Sequence, residues 1–243
     1  MQKLYQKSEL WFSLVWIIVY VAGGSAADAA SRTIGVEKIV TLPFLAILCA
    51  VALGWVKKQG LNQKYGLCRP KLRAAAFLWY IPLVIPVSCN LWYGVKWNMP
   101  LHETLLYMAS MVCVGFLEEL IFRGFLFKAM SRDGLTSAIV VSSVTFGIGH
   151  IVNLFNGSGA QLLSNLCQVV SAVAFGFLFV ILFHRGGSIW PCIVTHCAIN
   201  VLSAFAGDMT DGREILTAVI LTGTNIAYTA VLLKTLPKDA ADR

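Results

Sequence analysis

The chain has 243 residues, 58% of them hydrophobic and only 13% charged, with a mean hydropathy of +0.74 and a net charge of +7. A soluble domain carries about 25% charged residues. The composition and its repeated long apolar runs therefore exclude an ordinary soluble globular protein and point to a polytopic membrane protein. The positive charge is not a nucleic-acid footprint, because the basic residues lie in short loops between apolar runs, as the positive-inside rule describes.

Eight apolar segments follow one another, at roughly 9–27, 39–56, 73–94, 102–131, 135–155, 162–184, 188–206 and 214–234. Each is long enough to cross ~30 Å of hydrocarbon at about 1.5 Å per residue. Backbone groups in lipid are satisfied only in helices or closed barrels, and continuous apolar runs favour helices. The expectation is an all-α, polytopic membrane helical bundle of about eight transmembrane helices, forming one integral membrane domain over residues 1–243. At the N-terminus Lys3 and Lys7 precede the apolar stretch Trp11–Val21, and Gly23-Gly24-Ser25-Ala26-Ala27 imitates a cleavage region. We read this stretch as the first span rather than as a signal peptide. Pro82 and Pro86 are expected to kink the third helix. Turn residues separate the later segments: Asp133-Gly134, Asn156-Gly157-Ser158-Gly159, Gly186-Gly187, then Gly207-Asp208 with Asp211-Gly212.

Loop charges give an orientation. With the N-terminus inside and eight spans, one side holds Lys3, Lys7, Lys57, Lys58, Lys64, Arg69, Lys71, Arg73, Lys128, Arg132, Arg185, Lys234, Lys238 and Arg243. The other side holds Arg32, Lys38, Lys96 and Arg213. Fourteen basic residues against four predict both termini in the cytoplasm, as in a multi-pass protein of a bacterial plasma membrane. The remaining basic residue, Arg123, lies inside a span. Of the seven cysteines, six fall in apolar runs and only Cys68 in a loop, with no CxxC pair and no metal-finger spacing. They read as small buried hydrophobes with free thiols.

The fourth segment contains Glu118-Glu119-Leu-Ile-Phe-Arg123-Gly124 between apolar flanks. An ionisable group at membrane depth costs ~2.5–3.5 kcal/mol on insertion scales and marks a functional site by default. The other strongly polar groups deep in spans are His150, His196 and Asn200. The amides Asn90, Asn165, Gln168 and Asn225 read as helix–helix hydrogen-bonding groups. Counting outward from the hairpin at Asp133-Gly134, Glu118 and His150 arrive at nearly the same depth. Counting from Gly186-Gly187, Asn200 joins them, with His196 one turn nearer the cytoplasm. Glu119 and Arg123 are spaced i,i+4 and can pair within the helix, which reduces the cost of burying both. Glu118 is rotated ~100° away, free to face His150. Phe146 and His150 are also spaced i,i+4, as are His196 and Asn200.

These groups suit attack of water on a carbonyl, which needs a base, a proton donor and oxyanion donors. Glu118 and His150 fit the first two needs, and His196 with Asn200 the third. Ser142, Ser143, Ser171 and Ser203 lie in or near spans and read as packing residues, since none sits in a G-x-S-x-G elbow. A zinc ion held by one or two carboxylates and two histidines competes with this reading, and spacing alone leaves both standing. So do two other classes: a non-catalytic immunity or scaffold protein that binds a peptide partner, and a small ion or proton transporter.

Glu118-Glu119-x-x-x-Arg123, then Phe146-x-x-x-His150, then His196-x-x-x-Asn200 resembles the three-motif pattern of the CAAX-protease and bacteriocin-processing family, also called the Abi family. Its eukaryotic members are the type II CAAX prenyl endopeptidases. The resemblance covers about residues 100–206 and agrees in motif order and approximate spacing. It implies an eight-helix intramembrane protease of the glutamate type. Glu118 would activate water with help from His150, and His196 with Asn200 would form the oxyanion site. Glu119 and Arg123, with Phe146, would hold the site together. No cofactor is then expected, zinc being the alternative, and the partners are the lipid bilayer and a membrane-associated or hydrophobic peptide or protein. In the prenyl proteases of the family the cavity opens toward the cytoplasm. Nothing in the sequence reads a prenyl group or fixes an oligomeric state.

Overall fold

The computed structural model describes residues 1–237. A short helix at Gln2–Lys7 leads into α1 (Glu9–Ile34), α2 (Thr41–Lys58), α3 (Ala74–Leu91), α4 (Leu101–Met130), α5 (Leu135–Leu154), α6 (Leu162–Gly186), α7 (Trp190–Phe205) and α8 (Asp211–Thr235). Seven of these are long and apolar enough to cross a membrane. The seventh in order, α7, is a shorter apolar helix. At about 1.5 Å per residue it falls short of the ~30 Å hydrocarbon core. The chain is thus a polytopic helical membrane bundle, and each expected segment corresponds to one helix.

Two expectations are corrected in detail. The first span does not stop near residue 27 but continues to Ile34, past Gly23-Gly24. Its last turns are held by side chains: the Ser31 hydroxyl donates to the Ala27 carbonyl at 3.0 Å, and Asp28 accepts from Lys38 Nζ at 2.8 Å and from Thr41 at 2.6 Å. The third span is broken rather than bent at its prolines. Leu78, Trp79 and Tyr80 take left-handed backbone angles, with φ of 50°, 56° and 58°. Proline rejects the carbonyl four residues before it. For Pro82 that carbonyl belongs to Leu78, so the break falls one turn upstream of the ring. It exposes the Phe77 carbonyl, which the buried Tyr228 hydroxyl of α8 satisfies at 2.6 Å.

Small residues set the closest helix crossings, as membrane packing requires. A Cβ at Gly115 of α4 would meet the backbone nitrogen of Cys197 of α7 at 2.9 Å. One at Gly147 of α5 would meet the Val173 nitrogen of α6 at 2.7 Å. These crossings draw α7 against α4 and α6 against α5, the helices that carry the polar groups.

The loops sort into two ends. At one, Lys64 and Arg132 both pair with Glu9, at 2.6 and 3.3 Å, and Lys71 N–H donates to the Gly186 carbonyl. At the other, Arg32 donates to the Asn156 carbonyl at 2.6 Å, Lys96 pairs with Asp208 at 3.0 Å, and Ser164 donates to Glu214 at 2.7 Å. Among the described residues twelve Lys and Arg side chains lie at the first end and four at the second. Lys238 and Arg243 lie outside the described residues.

Candidate active site

The site is built on a change of helical winding in α4. Leu101–Glu118 is α-helical, and Glu119–Phe127 is a π-helix, all nine residues buried. A π-helix bonds i to i+5 and takes a wider turn, a form found often at functional sites. The segment is anchored laterally by Ser142 of α5, whose hydroxyl donates to the Phe122 carbonyl at 2.8 Å.

Within this segment Glu119 and Arg123 are fully buried and paired, guanidinium Nη1 to carboxylate Oε1 at 3.1 Å. The guanidinium carbon stands 3.9 Å from the centroid of the Phe146 ring and 5.5 Å from that of Phe179. Its nitrogens make no well-aligned hydrogen bond among the described residues. The ion pair and the two aromatic faces therefore carry the buried charge, and a desolvated cation over a ring gains about 2 kcal/mol or more.

Glu118 is in a different environment. Its side chain is 14% exposed, against 0% for Glu119. The Tyr20 hydroxyl of α1 donates to its Oε1 at 2.6 Å. His196 of α7 stands between the two carboxylates: Nδ1 is 2.8 Å from Glu119 Oε1, and Nε2 is 3.5 Å from Glu118 Oε2. A carboxylate only accepts, so Nδ1 carries the proton in the shorter contact. His150 is placed similarly, with Nδ1 3.2 Å from the Phe146 carbonyl. A carbonyl also only accepts. Both histidines thus commit Nδ1–H to the protein and leave Nε2 as the nitrogen available for other contacts. The Phe146 ring lies edge-on to both imidazoles, at 5.3 Å from His150 and 5.8 Å from His196.

Glu118, His150, His196 and Asn200 line a single cavity of about 550 Å³, with Phe122 and Phe146 at its inner end. A second, more apolar cavity of about 380 Å³ runs between α6, α7 and α8. His150, His196, Asn200, Asn90 and Phe146 border both, so the polar residues stand where two cavities meet. Among the described residues no group of three or more His, Cys, Asp or Glu side chains is arranged to hold a metal ion.

Several contributors escaped the sequence reading. Tyr20 gave no signal, since a tyrosine in an apolar run reads as ordinary packing. The generic helix–helix amides prove specific. Asn165 donates to the His150 carbonyl at 2.8 Å, holding the 3-10 turn in which α5 ends, and Asn90 donates to the Ile199 carbonyl beside Asn200 at 2.8 Å. Gln168 accepts from Asn153 at 3.3 Å, whereas the Asn225 side-chain nitrogen has no partner among the described residues. His196 holds a central place that sequence spacing did not show, because it stands between both carboxylates.

With this geometry in view, residues 100–202 match the family of type II CAAX prenyl endopeptidases, Rce1-like. That stretch runs from the start of α4 through the His196–Asn200 turn of α7, so it contains all three motifs. The match agrees with the motif resemblance and, at the level of the family, supports a CAAX-type intramembrane protease. No curated protein and no solved structure matches the chain.

Proposed function

We propose that the chain is an intramembrane endopeptidase that hydrolyses a peptide bond in a membrane-associated or hydrophobic polypeptide, using water activated by Glu118. The observation that carries this reading is the division between two adjacent carboxylates. Glu119 is spent on Arg123 and His196, while Glu118 faces a cavity that His150, His196 and Asn200 also line.

In this reading Glu118 takes a proton from the attacking water and Tyr20 orients the carboxylate. The proton held by Glu118 passes to His150 Nε2, giving the imidazolium while Nδ1–H stays on the Phe146 carbonyl. Nε2–H then protonates the leaving amine, which regenerates the carboxylate and the neutral imidazole. Asn200 and His196 bind the oxyanion. Because His196 Nδ1–H is committed to Glu119, donation from Nε2 requires the imidazolium form. The flanking carboxylates of Glu119 and Glu118 compensate its charge. Preorganised donors of this kind supply about 2.7–4 kcal/mol each. The two cavities meeting at the site suit an extended chain with a polar stretch on one side of the scissile bond and an apolar stretch on the other.

The test is the purified protein in detergent with a peptide library, comparing wild type with Glu118→Gln. Cleavage by wild type alone supports the proposal. No cleavage by either, with the partner peptide still bound, favours a binding or immunity role instead. Cleavage abolished by a strong chelator and restored by zinc favours a metalloprotease built from the same residues.

A further inference from the structure

The 550 Å³ cavity has a direction. Its lining comes from one half of every helix that contributes: Tyr20 to Asp28 of α1, Thr41 and Leu45 of α2, Tyr107 to Phe122 of α4, Phe146 to Asn153 of α5, and His196 to Ser203 of α7. It reaches the surface at the α5–α6 loop, where Asn156 and the exposed Ser158 line it, and beside Lys38 of the α1–α2 loop. No residue of the loops at the opposite end lines it. In that direction buried side chains take its place. Leu120, Ile121, Phe125, Phe127, Phe179 and Phe183 are each at most 1% exposed and fill the space between the site and the far loops.

The two ends differ in charge as well. The closed end carries twelve described Lys and Arg residues with Glu9 and Asp133. The open end carries four basic residues against Asp28, Glu37, Glu103, Asp208, Asp211 and Glu214. The bias in Lys and Arg across short loops sets orientation, and the rich side stays in the cytoplasm. Twelve to four is a strong bias, and it falls at the closed end.

We infer that the site is served from the extracytoplasmic face: its substrate is an exported or membrane-inserted polypeptide whose scissile bond reaches Glu118 from the outer side. The inference rests on the proteolytic reading for the word substrate, and on charge and cavity geometry for the direction. It departs from the cytoplasm-facing cavity that the prenyl-protease resemblance implies. A lipid-modified C-terminus arriving from the cytoplasm would meet the aromatic plug and the basic loops. The mouth lining agrees: Ser25, Asn153, Asn156 and Ser158 are polar, as suits a hydrated peptide backbone rather than an isoprenoid.

The test has two arms on full-length protein in cells. In the first, Ser158→Cys and Asn153→Cys report the mouth and Asp133→Cys the closed end. A membrane-impermeant charged methanethiosulfonate is applied to intact and to permeabilised cells, and modification is read at each introduced position by mass spectrometry. Modification of either mouth position in intact cells, with Asp133→Cys modified only after permeabilisation, is the expected result. The reverse pattern overturns the inference, and two mouth positions guard against one variant failing to fold. In the second arm, a peptide cleaved by the detergent-solubilised protein is added to sealed vesicles of each orientation. At least tenfold faster cleavage by right-side-out than by inside-out vesicles is expected, and equal or opposite rates overturn it. If no peptide is cleaved in detergent, the proteolytic reading fails while the labelling arm still decides the direction.

Discussion

The two halves of α4 are adjacent in sequence and opposite in physics. From Tyr107 to Glu118 the helix is α-helical and lines the large cavity with Tyr107, Met111, Val114 and Glu118. From Glu119 to Phe127 it is π-wound, wholly buried and clamped by an ion pair, two aromatic faces and a serine from α5. One peptide bond separates a carboxylate that borders the cavity from one buried in an ion pair. The lesson is that a pair of like residues in a membrane motif need not share a task. The environment of each side chain, set by winding and by neighbouring helices, assigns its role.

Arg123→Ala should have the largest effect because it strikes both halves. It leaves the buried Glu119 with only the His196 Nδ1–H as a partner, and breaking a buried pair from one side costs about 3–5 kcal/mol. The unfolding transition in detergent, followed by heat or by SDS titration, should move far down, and activity should vanish with it. A wild-type transition would show that the inner half is not an electrostatic brace.

Glu118→Gln should separate the halves cleanly. Glutamine keeps an oxygen to accept from Tyr20 but cannot act as a base, so cleavage should fall by about 10²–10⁴-fold, the range of a lost general base. Stability should stay close to wild type, since the side chain borders a cavity. A large loss of stability with cleavage retained would exchange the roles assigned to the two carboxylates.

Tyr20→Phe removes the short hydrogen bond to Glu118 and little else. Hydrogen bonds to charged groups contribute about 1.5–3 kcal/mol. A roughly tenfold or greater drop in kcat is expected, with KM nearly unchanged because the phenol touches the carboxylate rather than a remote part of the substrate. A rise in KM at constant kcat would instead place Tyr20 in substrate binding.

Much of this arrangement is legible in the sequence, for identifiable reasons. Length and hydropathy expose each helix, because lipid leaves the backbone few choices. Loop charge shows which loops share an end, and contacts such as Lys64 with Glu9 pair loops in the same way. The i,i+4 spacing of Glu119 and Arg123 announces their ion pair. What stays hidden depends on partners distant in sequence. Tyr20 meets Glu118 across 98 positions, and nothing local to a tyrosine in an apolar run signals that. The π-winding follows no periodicity that apolar residues on every side could display. The break in α3 is implied by Pro82, but its placement at Leu78–Tyr80 depends on Tyr228 being present to satisfy Phe77. The direction in which the cavity opens needs the packed aromatic floor, which only the folded bundle assembles.

Ser142→Ala should have the smallest effect, and it tests how the inner half is held in its winding. The hydroxyl is fully buried and donates to the Phe122 carbonyl in the middle of the π-segment. Alanine fits the same space, so the change removes one neutral hydrogen bond without opening a sizeable cavity. Net contributions of such bonds lie near 0.5–1.5 kcal/mol, and a loss of about 1 kcal/mol in detergent unfolding is expected. The informative quantity is kcat measured beside it. If the π-segment is fixed by Arg123 and the surrounding aromatics, Glu118 keeps its position and cleavage stays within about twofold of wild type, well inside what a 1 kcal/mol disturbance of the site would give. If Ser142 itself selects the π-winding over a continuous α-helix, its loss re-registers residues 119–127 and rotates Glu119 and Arg123 relative to Glu118. Cleavage would then fall far more than stability, and the boundary between the two halves of α4 would lie in α5.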